Sequence, residues 1–324
     1  MTEKIQTARL SPLWETWTVE LTAELSPATL KRYRSVFQRF LTWFKGVEHR
    51  PPELADLHPI TLVGYRNWLQ ETDAAATVNT HVYALRTWCA WLVANAYLAA
   101  NPAARLKLLQ QQPRAAPAAL QPRQVHALLQ AAQQTRYPAR NTAILQMMLQ
   151  TGLRIGECAA LRWGDLAVGE RHGTVLIRAG KGNQTRRVPL NQSIRQALAN
   201  YVAPISHVES TLKAVAAVWP SQPPTHPLWQ SERGSQLSVR EIGRMIQQVV
   251  HTCAVRNTVP EATTPHSLRH TFATRYLLRH PGDLVGLAWL LGHSSIRTTQ
   301  VYVQPTEEEM AKRVSQIDLN AYAD

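Results

Sequence analysis

The chain has 324 residues, long for one domain and comfortable for two at roughly 100–200 residues each. Hydrophobic residues make up 45%, enough to bury a core, yet no apolar run approaches the roughly 18 residues of a membrane span, and MTEKIQTARLSP lacks a secretory h-region. Lys and Arg number 35 against 22 Asp and Glu, and the net charge of +13 calls for a polyanionic partner, nucleic acid first.

Of the 35 cations 28 are Arg, whose planar fork grips phosphate oxygens in pairs where Lys acts as a point charge. A coding bias toward Arg would explain part of that ratio but not the net charge. The three cysteines, Cys89, Cys158 and Cys253, are widely spaced with no CxxC pair, so neither a zinc ribbon nor a disulfide framework is expected. A cytoplasmic location follows as the simplest expectation, and with it no membrane partner.

The first hundred residues read as helices. Ser26-Pro27 has the form of an N-cap with Pro at the first helical position. The run ATLKRYRSVFQRFLTWFKG then sets Leu30, Tyr33, Val36, Phe37, Phe40, Leu41 and Phe44 on one face, and Lys31, Arg32, Arg34 and Arg39 on the other. Further helices are predicted over PITLVGYRNWLQE and ATVNTHVYALRTWCAWLVANAYL. Residues 102–122 hold four prolines among Ala and Gln, the composition of an extended linker. The expected organisation is a helical domain at 1–104, a linker at 105–118 and a second domain at 119–324.

In that second domain, RQVHALLQAAQQ and ARNTAILQMMLQTG read as helices, the latter stopped by Gly152. The period then changes: TVLIRAG and QTRRVPL are strand-like around a Gly-Lys-Gly-Asn turn, so a β-hairpin is predicted. Helices resume over 191–203, 238–255, 265–280, 283–292 and 306–317, while the Pro-rich residues 204–228 resist assignment. The fold class is therefore mainly α with a small β-sheet, in two basic domains that could clamp a duplex.

Several short stretches could carry chemistry. In TGLRIGECAALRW, Arg154 follows a helix stop, and if a new helix begins there it lies at an anion-favouring N-terminal end. Taken alone, Arg154 reads first as a surface arginine paired with Glu157 at i,i+3. In PHSLRHTFATRYLLRH, His266, Arg269 and His270 share one helix face, and three adjacent cationic groups suit an anion better than a metal. His-x-x-x-His is a zinc spacing, but Ser267 replaces the zincin Glu and no third ligand is evident. Lys181 sits in a hairpin tip that fails as a P-loop, because Val175 and Gly182 occupy its first Gly and its Ser/Thr positions.

No G-x-S-x-G elbow is present, no cysteine has an activating partner nearby, and no carboxylate cluster offers a two-metal site. That leaves Tyr302, nine residues after His293 in GHSSIRTTQVYVQ. A phenol titrating near pH 10 becomes a nucleophile only among cations and a proton acceptor, and in isolation Tyr302 reads first as a core aromatic on an amphipathic helix.

Taken together, TGLRIGECAALRW, the lysine of AGKGNQTRRVPL, HSLRHTFAT and LLGHSSIRTTQVY, in this order and spacing, resemble the tyrosine recombinases of the phage integrase family, the Xer-type members above all. The resemblance covers about residues 119–320 closely and the N-terminal half more loosely, as a SAM-like core-binding domain. It implies that Arg154 and Arg269 grip the scissile phosphate and that Lys181 protonates the departing 5′ oxygen. It makes His266 and His293 phosphate ligands that assist proton transfer, Tyr302 the nucleophile, and Glu157 and His270 supporting residues.

The implied activity is site-specific recombination through a 3′-phosphotyrosyl intermediate and a Holliday junction, without cofactor or metal. The implied partners are a double-stranded DNA recombination site, a second protomer as a homodimer on each site, and a homotetramer in the synapse. A type IB topoisomerase-like relaxation and a non-catalytic DNA-binding regulator are the alternatives. Val303-Gln304 after the tyrosine, and Pro281-Gly282 before the last motif, depart mildly from the family pattern. Met310, Val314 and Ile317 form a stripe that would pack either on its own domain or on a neighbouring protomer. Little sequence precedes the first helical domain, so no further arm-binding domain is expected; integration, dimer resolution and cointegrate resolution all stay open.

Overall fold

In the computed structural model the described residues are 9–23, 25, 27–110, 119–178 and 185–292. The chain divides into two compact units, Met1–Arg114 and Ala115–Asp324. Both are built mainly of helices, and the described residues contain one small sheet.

The first unit contains α1 (Leu10–Glu20), α2 (Pro27–Glu48), α3 (Pro59–Thr72) and α4 (Ala75–Ala94). The apolar stripe of α2 turns inward as its spacing predicts: Leu30, Val36, Phe37, Phe40 and Phe44 are buried while Lys31, Arg32 and Arg34 stay exposed. Arg39 departs from that basic face. Its guanidinium forks onto Asp73 at 3.1 and 2.5 Å and lies over the Trp68 ring, which makes it a tie between α2 and the end of α3.

The helix α1 has no counterpart in the elements read from sequence. It buries Leu10, Leu13, Trp14 and Trp17, and Trp14 stacks on Phe37 with ring centroids 4.2 Å apart. Within the stretch read as a linker, Ala103 and Leu106 join this core, and Asn79 exchanges two hydrogen bonds with the backbone of Leu109. The polar side chain of Asn79 is thus satisfied where it is buried.

The second unit runs α5 (Pro122–Gln133), α6 (Pro138–Thr151), α7 (Ile155–Ala159), β1 (Leu166–Val168), β2 (Gly173–Ile177), β3 (Arg186–Pro189), α8 (Gln192–Ser206), α9 (Leu212–Val218), α10 (Val239–Val255), α11 (Pro265–Arg279) and α12 (Leu284–Leu291). The sheet is antiparallel in the order β1-β2-β3, with Leu166 opposite Val175 and Ile177 opposite Arg186. β2 and β3 are the expected hairpin; β1 adds a third strand. At the centre of the unit, α6 packs against α5, α8 and α11 through the fully buried Ile144, Leu145, Met147 and Met148.

Residues 204–228, unassigned from sequence, finish α8, form α9 and a 3-10 turn at Trp219–Ser221, and then strap across the chain that leads into β1. The strap is stitched by backbone bonds from Trp163 to His226 (3.1 Å) and from Gly164 to Pro224 (3.0 Å), and by the Trp219 indole N–H to the Leu166 carbonyl (3.1 Å). These bonds give the irregular backbone the partners that helix or strand would otherwise supply.

Candidate active site

Gly152 makes the corner on which the site is built. α6 stops there because Gly152 adopts φ +64, the left-handed conformation that favours glycine. A Cβ at this position would stand 2.5 Å from Cδ1 of Phe272 and 2.7 Å from Cδ2 of Leu291, so α11 and α12 close tightly over the corner. The chain leaves the corner extended and starts α7 three residues later, with Arg154 as the N-cap.

Arg154 therefore satisfies both readings of its sequence. It stands at a helix N-terminus with its side chain half exposed, and it also pairs with Glu157 at 2.9 Å. The Glu157 carboxylate accepts the Arg154 backbone N–H as well, at 2.8 Å. Its principal partner is Arg186, the first residue of β3, whose Nη1 and Nη2 fork onto both carboxylate oxygens at 3.1 and 2.8 Å. Burial pushes the Glu157 carboxyl upward, but the Arg186 hydrogen bonds, the Arg154 N–H and the two guanidinium charges outweigh it and leave the group below its ordinary range.

Arg269 reaches the same corner from α11. It is 3% exposed and donates from Nη1 to the Gly152 carbonyl (2.6 Å) and from Nη2 to the Leu291 carbonyl (2.8 Å). Its charge thereby faces the carbonyl ends of α6 and α12, where a helix dipole favours cations. Arg186 caps the same end of α12 by donating from Nε to the Leu290 carbonyl at 2.8 Å. α12 closes on Gly292 at φ +63, directly before His293.

The expected cationic face of α11 is uneven in depth. His266 is exposed, whereas Arg269 and His270 are buried. Burial first, and the neighbouring His266 second, lower the His270 pKa and favour a neutral ring. The helix begins on a reciprocal cap, Thr264 with Ser267, after which Pro265 takes its first position. Among the described residues no three His, Cys, Asp or Glu gather as a ligand set for a metal.

The structure thus brings Arg154, Glu157 and Arg269 to one corner, places His266 and His270 on the helix that carries Arg269, and leads the chain from that corner into His293. Lys181, His293 and Tyr302 lie outside the described residues, as do the predicted helix over 306–317 and its stripe of Met310, Val314 and Ile317. The strands on either side of Lys181 are described, and both are held by acid–arginine pairs: Arg178 with Asp165 at 2.5 Å, and Arg186 with Glu157 at 2.8 Å.

Arg186 is the residue that sequence reading passed over. The signal was available in RRVPL: strand alternation that turns Val188 and Leu190 inward turns Arg186 inward too, and a buried guanidinium needs acceptors, a carboxylate among them. Chemically, the corner offers one half-exposed and one buried guanidinium beside a neutralised carboxylate, an arrangement suited to an oxyanion with bonds on two sides.

The family model described as "Phage integrase family" matches residues 118–309. A Rhizobium meliloti (strain 1021) protein named tyrosine recombinase XerC is 33% identical over 298 residues, covering 88% of this chain and 86% of the relative. Among solved structures, XerH site-specific recombinase bound to difH substrate aligns with TM-score 0.66 at 18% identity, over 89% of this chain and 79% of that one. The Tn1549 transposon integrase in complex with transposon right end DNA aligns with TM-score 0.69 at 18% identity, over 94% and 99%. The fold of this chain is the one those proteins share.

Proposed function

The chain belongs to the phage integrase family, and from that premise we propose a site-specific DNA recombinase that breaks and rejoins strands through Tyr302. The observation that carries the reading is the shared corner: Arg154 follows the Gly152 turn as the N-cap of α7, and Arg269, 115 residues further along the sequence, donates to the Gly152 carbonyl. Two guanidiniums fixed there can bind the nonbridging oxygens of a phosphodiester and stabilise the charge that grows on them during displacement. His266 and His293 would add hydrogen bonds to the same oxygens and assist proton transfer.

In the proposed step the Tyr302 phenolic oxygen attacks phosphorus and loses its proton, the bond to the 5′ oxygen breaks, and Lys181 protonates the departing oxygen. The 3′-phosphotyrosyl ester conserves the bond energy, so a 5′-hydroxyl from another duplex can reverse the step without a nucleotide. His270, buried and favoured in its neutral form, would support the Arg269 helix rather than meet the phosphate. The partner is double-stranded DNA carrying the recombination site, bound by a homodimer per site and a homotetramer in the synapse, in the cytoplasm.

The test uses a nicked suicide substrate that traps the covalent adduct. Tyr302→Phe should bind the site and form no adduct on a denaturing gel; an adduct persisting in that variant would reject the assignment. A strand-transfer product that needs two sites marks a recombinase, whereas relaxation of a one-site plasmid alone would mark a topoisomerase-like enzyme.

A further inference from the structure

We propose that Arg186 is a positioning residue that neutralises Glu157 and thereby leaves the Arg154 guanidinium its charge for a phosphate. The inference rests on the recombinase reading and assigns a role to a residue outside its reacting set. Glu157 accepts four hydrogen bonds, two from Arg154 and two from Arg186. A carboxylate 2.9 Å from Arg154 with no second cation would cancel that arginine's charge and hold its side chain away from any other anion. With Arg186 forked onto both oxygens, three groups sum to one net positive charge, and the exposed member is Arg154: its side chain is 49% exposed, against 13% for Glu157 and 6% for Arg186.

Arg186 is also built not to leave. Its Nε is engaged by the Leu290 carbonyl, and Gly292 lies so close that a Cβ there would stand 2.5 Å from Nη1. A guanidinium fixed on three sides and buried cannot itself swing out to DNA. One arginine therefore joins the segment of Arg154 to the segment that precedes His293, and its charge is spent on an acid rather than on substrate. Lysine could supply the charge but not the fork together with the third bond.

The experiment compares adduct formation on the suicide substrate at saturating DNA for the full chain and for Arg154→Ala, Arg186→Met and the double variant Arg186→Met/Glu157→Gln. Arg186→Met should cleave about 100-fold more slowly, with site affinity within about threefold. Removing the unmatched acid should recover part of that loss: Arg186→Met/Glu157→Gln should cleave about tenfold faster than Arg186→Met, a gain that a merely structural role for Arg186 would not give. The double variant, whose buried pair is neutral on both sides, should cleave at least tenfold faster than Arg154→Ala, on the order of one pKa unit's worth of recovered interaction.

Circular dichroism melts accompany each variant; if Arg186→Met does not fold, the double variant against Arg154→Ala decides alone. A wild-type rate in Arg186→Met, or a double variant no faster than Arg186→Met or than Arg154→Ala, would overturn the proposal. An unmodified chain that forms no adduct at all would overturn the recombinase reading as well, so the two failures are distinct.

Discussion

Arg154 and Arg269 would meet the same phosphate, yet their surroundings assign them different costs. Arg269 is buried and supplies the donors for two carbonyls at the ends of α6 and α12, so Arg269→Ala strands both acceptors. An unsatisfied buried acceptor costs about 1–3 kcal/mol, and urea unfolding should show a loss of about 3 kcal/mol for this variant. Arg154, half exposed in an i,i+3 pair, should lose about 1 kcal/mol or less as Arg154→Ala. Both should lose cleavage by orders of magnitude, and equal stabilities would contradict the buried latch. At the same scale, the Tyr65 hydroxyl meets His81 Nδ1 at 2.8 Å in the first unit. Burial first, and the Arg39 charge second, outweigh Asp73 and lower the His81 pKa from 6.5 to about 4. Between those values the unfolded chain binds the extra proton, so stability is full above about pH 6.5 and falls as pH drops toward 4, by on the order of 3 kcal/mol. Urea unfolding at pH 7 and pH 5 should show the fall, and His81→Gln should show less of it; an NMR titration of His81 near 6.5 would contradict the assignment.

Elements with a marked start or stop were legible in the sequence itself: α2 from Ser26-Pro27, α11 from Pro265, and α6 with its Gly152 stop. What stayed illegible had a physical reason each time. Pro12 looks like a break in LSPLWETWTVE, but in the first turn of α1 its missing N–H needs no partner. β1 has three residues, too few to show a period, and the strap over 219–228 is held by backbone bonds to residues about sixty positions away. At the site, Arg154, Glu157 and Arg269 could be chosen by type and spacing, whereas the tie of Arg186 to Glu157 exists only once β3 lies beside α7. The corner itself makes an element-scale prediction. Gly152→Ala combines a positive φ with contacts of 2.5 and 2.7 Å against Phe272 and Leu291, and should cost about 3 kcal/mol or more, with cleavage falling as Arg154 and Arg269 separate. Gly156→Ala, on α7 with nothing within 4 Å of a new Cβ, should be neutral or up to about 1 kcal/mol stabilising. Thermal unfolding of the two alanine variants separates a glycine required by the turn from one that merely occupies a helix.

For the whole molecule, charge and chemistry are distributed differently. The net charge of +13 is spread over both units, with Lys31, Arg32 and Arg34 exposed on α2 and Arg240 and Arg244 exposed on α10, while Arg154 and Arg269 of the proposed site lie at one corner of the second unit. Phosphate contacts release counterions, and each lowers the slope of log affinity against log salt by about 0.9. Replacing Lys31, Arg32 and Arg34 together by Ala should therefore flatten that slope by about 2–3 and weaken binding alike on specific and unrelated duplexes. At saturating DNA the same triple variant should form the covalent adduct at the unmodified rate, because none of the three residues belongs to the Gly152 corner. Arg154→Ala should give the reverse pattern: a slope changed by no more than about 1 and almost no adduct. Fluorescence anisotropy across a salt series, beside suicide-substrate cleavage at saturation, measures both quantities on the same proteins. A triple variant that binds normally, or that cleaves slowly even when fully bound, would mean that the basic face of α2 does not grip DNA as a sequence-independent handle.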